Sequence, residues 1–135
     1  MIYLWVAIGG ALGTVARFWL ANVMAMAVGS AFPWGTLLIN VLGSFVISFF
    51  GMLTGASHRF AMPNEARLFV TVGLCGGFTT FSSFSLQTVE LVRAGQAGRA
   101  GIYVAASVIL CLVACAVGFW TAAALNHSLG SSRPA

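Results

Sequence analysis

Four long apolar stretches dominate the chain, and short polar connections separate them. A helix needs about 20 predominantly apolar residues to cross the hydrocarbon core of a bilayer. Segments of that kind fall at about 2–28, 34–53, 67–92 and 100–125. The connections are too short to form a second domain. The pattern predicts one all-α domain of four transmembrane helices over residues 1–135, ending in a polar tail at 126–135.

Charged residues are scarce in this sequence. They make up 6% of the chain, and apolar residues make up 60%, whereas a typical soluble domain is about 25% charged. Because so few polar groups cannot cover a water-facing surface, the apolar side chains must face lipid. The cations are scattered Arg residues, which excludes the clustered basic face of a nucleic-acid-binding protein. The sequence holds no evident nucleophile–base pair or metal-ligating cluster, and we do not expect an enzyme.

The arginines outside the first helix are divided almost evenly between the two sides of the predicted bundle. One side carries Arg59, Arg67 and Arg133, and the other carries Arg93 and Arg99. Positively charged loops favour the cytoplasm, but so small a difference barely selects an orientation. We therefore expect the chain to insert both ways round and to pair as an antiparallel dimer. The alternative is a single orientation that features other than this count determine.

Polar side chains recur along one face of three of the predicted helices. Such groups are costly inside a bilayer unless they meet partners or water. They either bond to their own helix and hold helices together, or they line a polar pathway. Asn40 favours the second interpretation, because its amide offers two donors that need acceptors. The stripes consist of Thr36, Asn40, Ser44 and Ser48 in the second helix, Thr80, Ser83, Gln87 and Glu90 in the third, and Tyr103, Ser107 and Cys111 in the fourth.

The third helix contains a segment, GGFTTFSSFS at 76–85, that is unfavourable in the middle of a helix. Paired glycines followed by two threonines weaken helical structure. A break here would free backbone carbonyls at the centre of the bilayer, where irregular backbone is tolerated only beside protein or water. Such carbonyls are suitable ligands for a hard cation such as Na⁺.

Two further features of the apolar segments suit an anion. Phe81 and Phe84 lie about one turn apart, and although packing is the usual role of Phe, the edge of a phenyl ring is electropositive. Arg17 lies inside the first apolar stretch. It either extends to the membrane surface or adds a positive potential that attracts anions.

Three motifs follow one another along the chain. The first is GGALG at 9–13 followed by Arg17, and the second is GTLLINVLG at 35–43. The third, GLCGGFTTFSSFS at 73–85, is the most specific. Together they resemble the CrcB/Fluc family of fluoride channels, and the likeness covers nearly the whole chain in length, helix number and motif order.

The resemblance implies an antiparallel, dual-topology homodimer with two pores in the inner membrane of a bacterial cell. The string at 76–85 itself predicts the break in the third helix. The activity that the resemblance implies is passive, fluoride-selective conduction that exports fluoride and lowers its cytoplasmic concentration.

The resemblance also assigns roles to individual residues by matching position. The ring edges of Phe81 and Phe84 would line the fluoride path. The backbone carbonyls of Gly76 and Thr79 from both subunits would hold a central structural Na⁺. Hydrogen-bond donors would lie along the path: Asn40, donating to the ion, and the polar track of Thr80, Ser83, Tyr103 and Ser107.

Two positions depart from the pattern of that family. Gln87 stands where the family commonly has Glu, which removes a titratable acceptor and retains hydrogen-bond donors. Cys111 stands where the family often has a hydroxyl, which makes the polar track shorter or less polar.

Two other functional classes are compatible with a small four-helix membrane protein. A proton-coupled multidrug exporter needs a carboxylate inside its first helix, and the first apolar stretch here holds Arg17 and no acid. A structural or assembly subunit would use the polar stripes only to hold helices together and would conduct no ions.

Overall fold

The computed structural model describes residues 1–55 and 60–130, and its regular structure is entirely helical. The first two helices are α1, Ile2–Val28, and α2, Trp34–Leu53. The next span consists of consecutive pieces: α3, Asn64–Leu68; a π-helical segment, Phe69–Leu74; α4, Cys75–Phe78; and α5, Phe81–Arg93. The last helix, α6, spans Ala97–Gly130.

Four helical spans are long and apolar enough to cross a membrane: Ile2–Val28, Trp34–Leu53, Asn64–Arg93 and Ala97–Ser128. The all-α, multi-pass architecture predicted from the sequence is therefore confirmed. Helix α6 exceeds the predicted range 100–125, because residues 126–130 of the predicted tail continue it. Residues 131–135 lie outside the described residues. Two of the arginines used above to predict the orientation in the membrane, Arg59 and Arg133, are also outside them.

Close approach of two backbones holds α1 against the third span. Gly9 and Gly13 share one face of α1 and meet the π-helical segment and α4. A Cβ atom added to Gly13 would collide with the carbonyl oxygen of Leu74, and one added to Gly77 would collide with that of Gly10. Since only glycine permits this approach, these residues determine how closely α1 and the third span pack in lipid.

Helices α2 and α6 form a second closely packed pair. Gly118 of α6 lies against α2, where an added Cβ atom would be 2.5 Å from the Phe45 carbonyl oxygen. In the same pair, the Ser48 hydroxyl of α2 donates to the Cys115 carbonyl in the middle of α6 at 2.7 Å. The polar residue Ser48 therefore holds two helices together, as the first interpretation of the stripes predicted.

Large apolar side chains cover the outside of the chain. Phe18 is 69% exposed, Trp19 is 65% exposed and Trp120 is 68% exposed. An apolar exterior of this extent suits contact with lipid or with another protein surface. The main buried cluster is small and consists of Leu37, Phe84, Leu91, Ala100 and Tyr103.

Candidate functional site

The helical geometry of the third span is interrupted at two residues. Helix α4 ends at Phe78 and α5 begins at Phe81, and both intervening residues are extended. Thr79 has φ −80° and ψ 157°, and Thr80 has φ −153° and ψ 112°. The Thr80 hydroxyl then accepts a hydrogen bond from the Ser83 N–H at 3.2 Å and so caps α5. Threonine suits this position because its side-chain oxygen satisfies an N–H group that has no partner within the helix.

The side chain of Asn40 bonds to both backbone groups of Thr80. Its Nδ2 donates to the Thr80 carbonyl at 3.1 Å, and its Oδ1 accepts from the Thr80 N–H at 2.8 Å. Helix α2 thus supplies partners for both backbone groups of Thr80. A side-chain amide has two N–H donors. One N–H of Asn40 bonds to Thr80, and the second takes no part in that bond.

The interruption leaves several backbone carbonyls without their helical donors, among them those of Gly76 and Thr79. In an unbroken helix the Thr80 N–H would donate to the Gly76 carbonyl, and the Ser83 N–H would donate to that of Thr79. The first of these N–H groups donates instead to Asn40, and the second donates to the Thr80 hydroxyl. The carbonyl oxygens of the two residues predicted as cation ligands are thus among those relieved of helical bonds.

A cavity of about 380 Å³, here called the central cavity, lies beside the interruption. It brings together Asn40 of α2, Phe81 and Phe84 of α5, and Ser107 and Cys111 of α6. The ring centroids of the two phenylalanines are 5.3 Å apart. Phe84 is 9% exposed, whereas Phe81 is 78% exposed, so the central cavity opens on the surface of the chain.

The hydroxyl of Ser107 is the most informative group in the central cavity. Ser107 is 6% exposed, and its buried Oγ has no hydrogen-bond partner within residues 1–55 and 60–130. Buried hydroxyls are nearly always paired, and an unpaired one costs free energy. This O–H is therefore a hydrogen-bond donor that no described protein group uses.

A second cavity of about 500 Å³, here called the arginine cavity, adjoins the central cavity at Thr80, which lines both. Its polar lining includes Arg17 of α1 together with Ser83 and Gln87 of α5. The tertiary structure thus brings Arg17 to the third-helix stripe, from which it is distant in sequence.

A third cavity of about 410 Å³, here called the terminal cavity, shares Thr36 and Gln87 with the arginine cavity. Glu90 and Gln96 also line it, close to the connection between α5 and α6. Together the three cavities form a row that runs from the middle of the third span to the end of α5.

Tyr103 lines none of the three cavities described above, but it contacts residues that do. It is fully buried, and its hydroxyl donates to Gln87 Oε1 at 2.9 Å. The Tyr103 ring lies 5.2 Å from that of Phe84, centroid to centroid. It therefore positions one residue of the central cavity and one residue of the arginine cavity.

The stripes that looked alike in the sequence differ in their partners. The Ser44 hydroxyl donates to the Asn40 carbonyl of its own helix at 2.7 Å.

Sequence reasoning did not select Thr14, which lines the arginine cavity and donates to the Gly77 carbonyl at 3.5 Å. Its position about one turn before Arg17 on the same helix was the available signal. Gly43 was also missed as a site residue, although a Cβ atom there would collide with the Thr79 side chain.

The fold defines a small multi-pass membrane protein with neighbouring cavities that share polar lining residues. A family model described as "CrcB-like protein, Camphor Resistance (CrcB)" matches residues 4–119. The chain belongs to this family, whose members are ion channels and not enzymes.

Several relatives carry the name "Fluoride-specific ion channel FluC". The protein from Methylocella silvestris is 57% identical over 131 residues, which cover 97% of this chain and 100% of the relative. That from Gluconobacter oxydans is 58% identical over 122 residues, or 90% of this chain and 84% of the relative. One from Thermus thermophilus is 44% identical over 123 residues, or 91% of this chain and 96% of the relative.

Replacing Asn40 with Leu tests the bond that spans the interruption. Both backbone groups of Thr80 would lose their partner, and each unpaired buried group costs roughly 1–3 kcal/mol. We expect Asn40→Leu to lower the free energy of unfolding in a detergent titration and to speed hydrogen exchange at the Thr80 amide. Ser44→Ala is the matched control, because Ser44 lines the same cavity but bonds only within α2. Wild-type stability together with unchanged exchange in Asn40→Leu would contradict this assignment.

Proposed function

We propose that this chain is a passive, fluoride-selective ion channel of the bacterial inner membrane, and that it exports fluoride from the cytoplasm. The observation that carries the proposal is the unpaired, buried hydroxyl of Ser107 in a cavity that also holds Asn40 and two phenylalanines. The names of the relatives support the choice of fluoride among anions.

Fluoride is small and strongly hydrated, so a pore must replace its water with hydrogen-bond donors, as potassium channels replace water with carbonyl oxygens. The described lining of the central cavity contains hydroxyls, an amide and aromatic rings, and no carboxylate or cationic side chain. A carboxylate would repel the ion, and a cation in direct contact would retain it. A lining of neutral donors avoids both problems.

Each lining residue has a distinct part in this proposal. Asn40 uses one N–H to hold Thr80 and offers the other to the ion. Ser107 donates its free hydroxyl, and Phe81 and Phe84 present electropositive ring edges. Thr80 lies where the central and arginine cavities meet, so it connects this set to the next.

The polar track continues through the arginine cavity. Ser83 and Gln87 line it with polar groups, and Arg17 contributes a positive potential that favours anions. Tyr103 acts on the track through Gln87, because its hydroxyl proton points to that side chain. Gln87 is neutral, so fluoride passing this position meets no fixed negative charge from it.

We propose that two chains form an antiparallel, dual-topology homodimer with two pores. The central cavity opens on the surface of a single chain, and the exposed ring of Phe81 lies at that opening. A pore needs a wall there that excludes lipid. A second copy would supply that wall, and an antiparallel pair would build two equivalent pathways.

We also propose that Na⁺ is bound at the centre of the dimer. The carbonyl oxygens of Gly76 and Thr79 fit this role, since the N–H groups that would bind them in a regular helix are engaged elsewhere. A Cβ atom on Gly76 would meet nothing within 4 Å, so this edge of the chain is open to a partner. Carbonyls from two chains would give a hard-oxygen site that Na⁺ suits.

A proton-coupled exporter is the main alternative and finds no support in the first span. Helix α1 holds Arg17 and no carboxylate over Ile2–Val28. The alternative of an assembly subunit explains Ser48, which bonds to α6, but it leaves the unpaired hydroxyl of Ser107 without a purpose.

Fluoride efflux from liposomes containing the purified protein tests the main proposal. We expect fluoride to leave down its gradient when a potassium ionophore balances charge, while chloride under the same conditions is retained. Absence of fluoride efflux, or equal rates for the two anions, would refute a fluoride-selective channel.

The ring-edge role is tested in the same assay with Phe81→Ile. An aromatic contact of about 0.5–1.5 kcal/mol corresponds to a loss of up to roughly tenfold in the fluoride efflux rate. Phe84→Ile should also lower the rate, and Phe60→Ile, outside the transmembrane spans, is the matched control. Unchanged efflux from both variants of α5, with normal assembly, would show that the rings do not contact the ion.

Dual topology predicts that a tag at the C-terminus is found on both sides of the membrane. An impermeant reagent applied to intact cells should label about half of the tags, and permeabilised cells should show full labelling. Labelling of none or all of the tags in intact cells would establish a single orientation.

Sodium binding predicts a higher melting temperature for the purified protein in sodium salts than in choline salts at equal ionic strength. A ligand that binds only the folded state raises stability by mass action. Equal melting temperatures in the two salts, over a titration of sodium concentration, would refute the structural Na⁺.

A further inference from the structure

Cys111 lies on the same helix face as Ser107 and lines the central cavity with Phe81 and Phe84. It is half-buried, and its thiol is free of any disulfide. The position is one helical turn beyond Ser107, so a group attached to its sulfur would occupy the space in front of that residue.

The other two cysteines differ from Cys111 in location. Cys115 is exposed and lines a separate, mainly apolar groove with Ser48 and Phe119. Cys75 is 3% exposed within α4. The chain therefore contains one thiol in the central cavity, one outside it and one that is inaccessible.

A second observation marks the space beside Cys111 as a ligand-binding space. The buried hydroxyl of Ser107, a lining residue, has no partner among the described residues, so a hydrogen-bond acceptor bound there would meet an unused donor. Any group that fills this space removes access to that donor.

We propose that Cys111 is a modification site for small neutral electrophiles of the α,β-unsaturated carbonyl class, and that its modification closes the ion pathway. The inference rests on the fluoride conduction proposed above. The thiolate is the reacting form of a cysteine. Its sulfur forms a bond to the β-carbon of the electrophile while the carbon–carbon π bond breaks. The proton that left the thiol returns to the α-carbon, so nothing is lost and no oxidant is required.

The test uses N-ethylmaleimide as the probe on the full-length protein in liposomes. Cys115→Ala removes the exposed thiol and leaves Cys111 as the only accessible one. We expect this variant to gain one adduct per chain, located at Cys111 by peptide mass mapping. Its fluoride efflux should fall to the rate of protein-free liposomes.

Cys111→Ser is the complementary variant, and each variant is compared with its own untreated sample. We expect the ratio of treated to untreated efflux to stay near one for Cys111→Ser, whatever its basal rate. If this variant does not assemble, the Cys115→Ala experiment decides the question by itself.

Three results would overturn the proposal: no adduct at Cys111, an adduct at Cys111 with undiminished efflux, or a block that persists in Cys111→Ser. These results are distinct from failure of the proposed function, because untreated wild-type protein is assayed first. Absence of fluoride efflux there would refute the channel itself, and the adduct at Cys111 would still report whether the cavity admits the reagent.

Discussion

The two hydrogen bonds between the Asn40 side chain and the backbone of Thr80 are the interaction on which the rest of the site depends. Backbone groups within a bilayer must find partners inside the protein. Because Asn40 supplies partners for both backbone groups of Thr80, it offsets part of the cost of leaving helical geometry there. A new helix then begins at Phe81, and its first turn contributes both phenylalanines to the central cavity.

Close contacts at glycine residues determine where α1 lies relative to the third span. Where Gly13 meets Leu74 and Gly77 meets Gly10, the backbones of α1 and the third span are in contact. That contact carries Arg17 to the cavity lined by Gln87. A charge that would be costly at bilayer depth is thereby placed beside polar groups, at one remove from the central cavity.

The conduction proposed above would combine neutral donors in the central cavity with a charge in the neighbouring one. Asn40 and Ser107 can replace part of a hydration shell without holding the ion by full charge. In this proposal Arg17 would act over distance through its potential. The polar residues between them, Thr80 and Ser83, provide continuity along the row of cavities.

The amino-acid sequence by itself determined the membrane class and the number of spans, because both follow from the length and hydropathy of local segments. It also identified the third-helix string and Asn40 as unusual, since the cost of polar groups and paired glycines in a bilayer is local. Family motifs added the expectation of fluoride, and the comparison with relatives established the family.

Only the tertiary structure decided what each polar residue does. Ser44, Ser48 and Ser107 have the same chemistry and helical spacing, yet the first bonds to its own helix, the second to α6, and the third to no protein group. Likewise, the spacing of Tyr103 did not reveal that its hydroxyl faces Gln87 and lies behind the cavities. These differences depend on which helix faces each side chain, and that is a property of packing between segments distant in sequence.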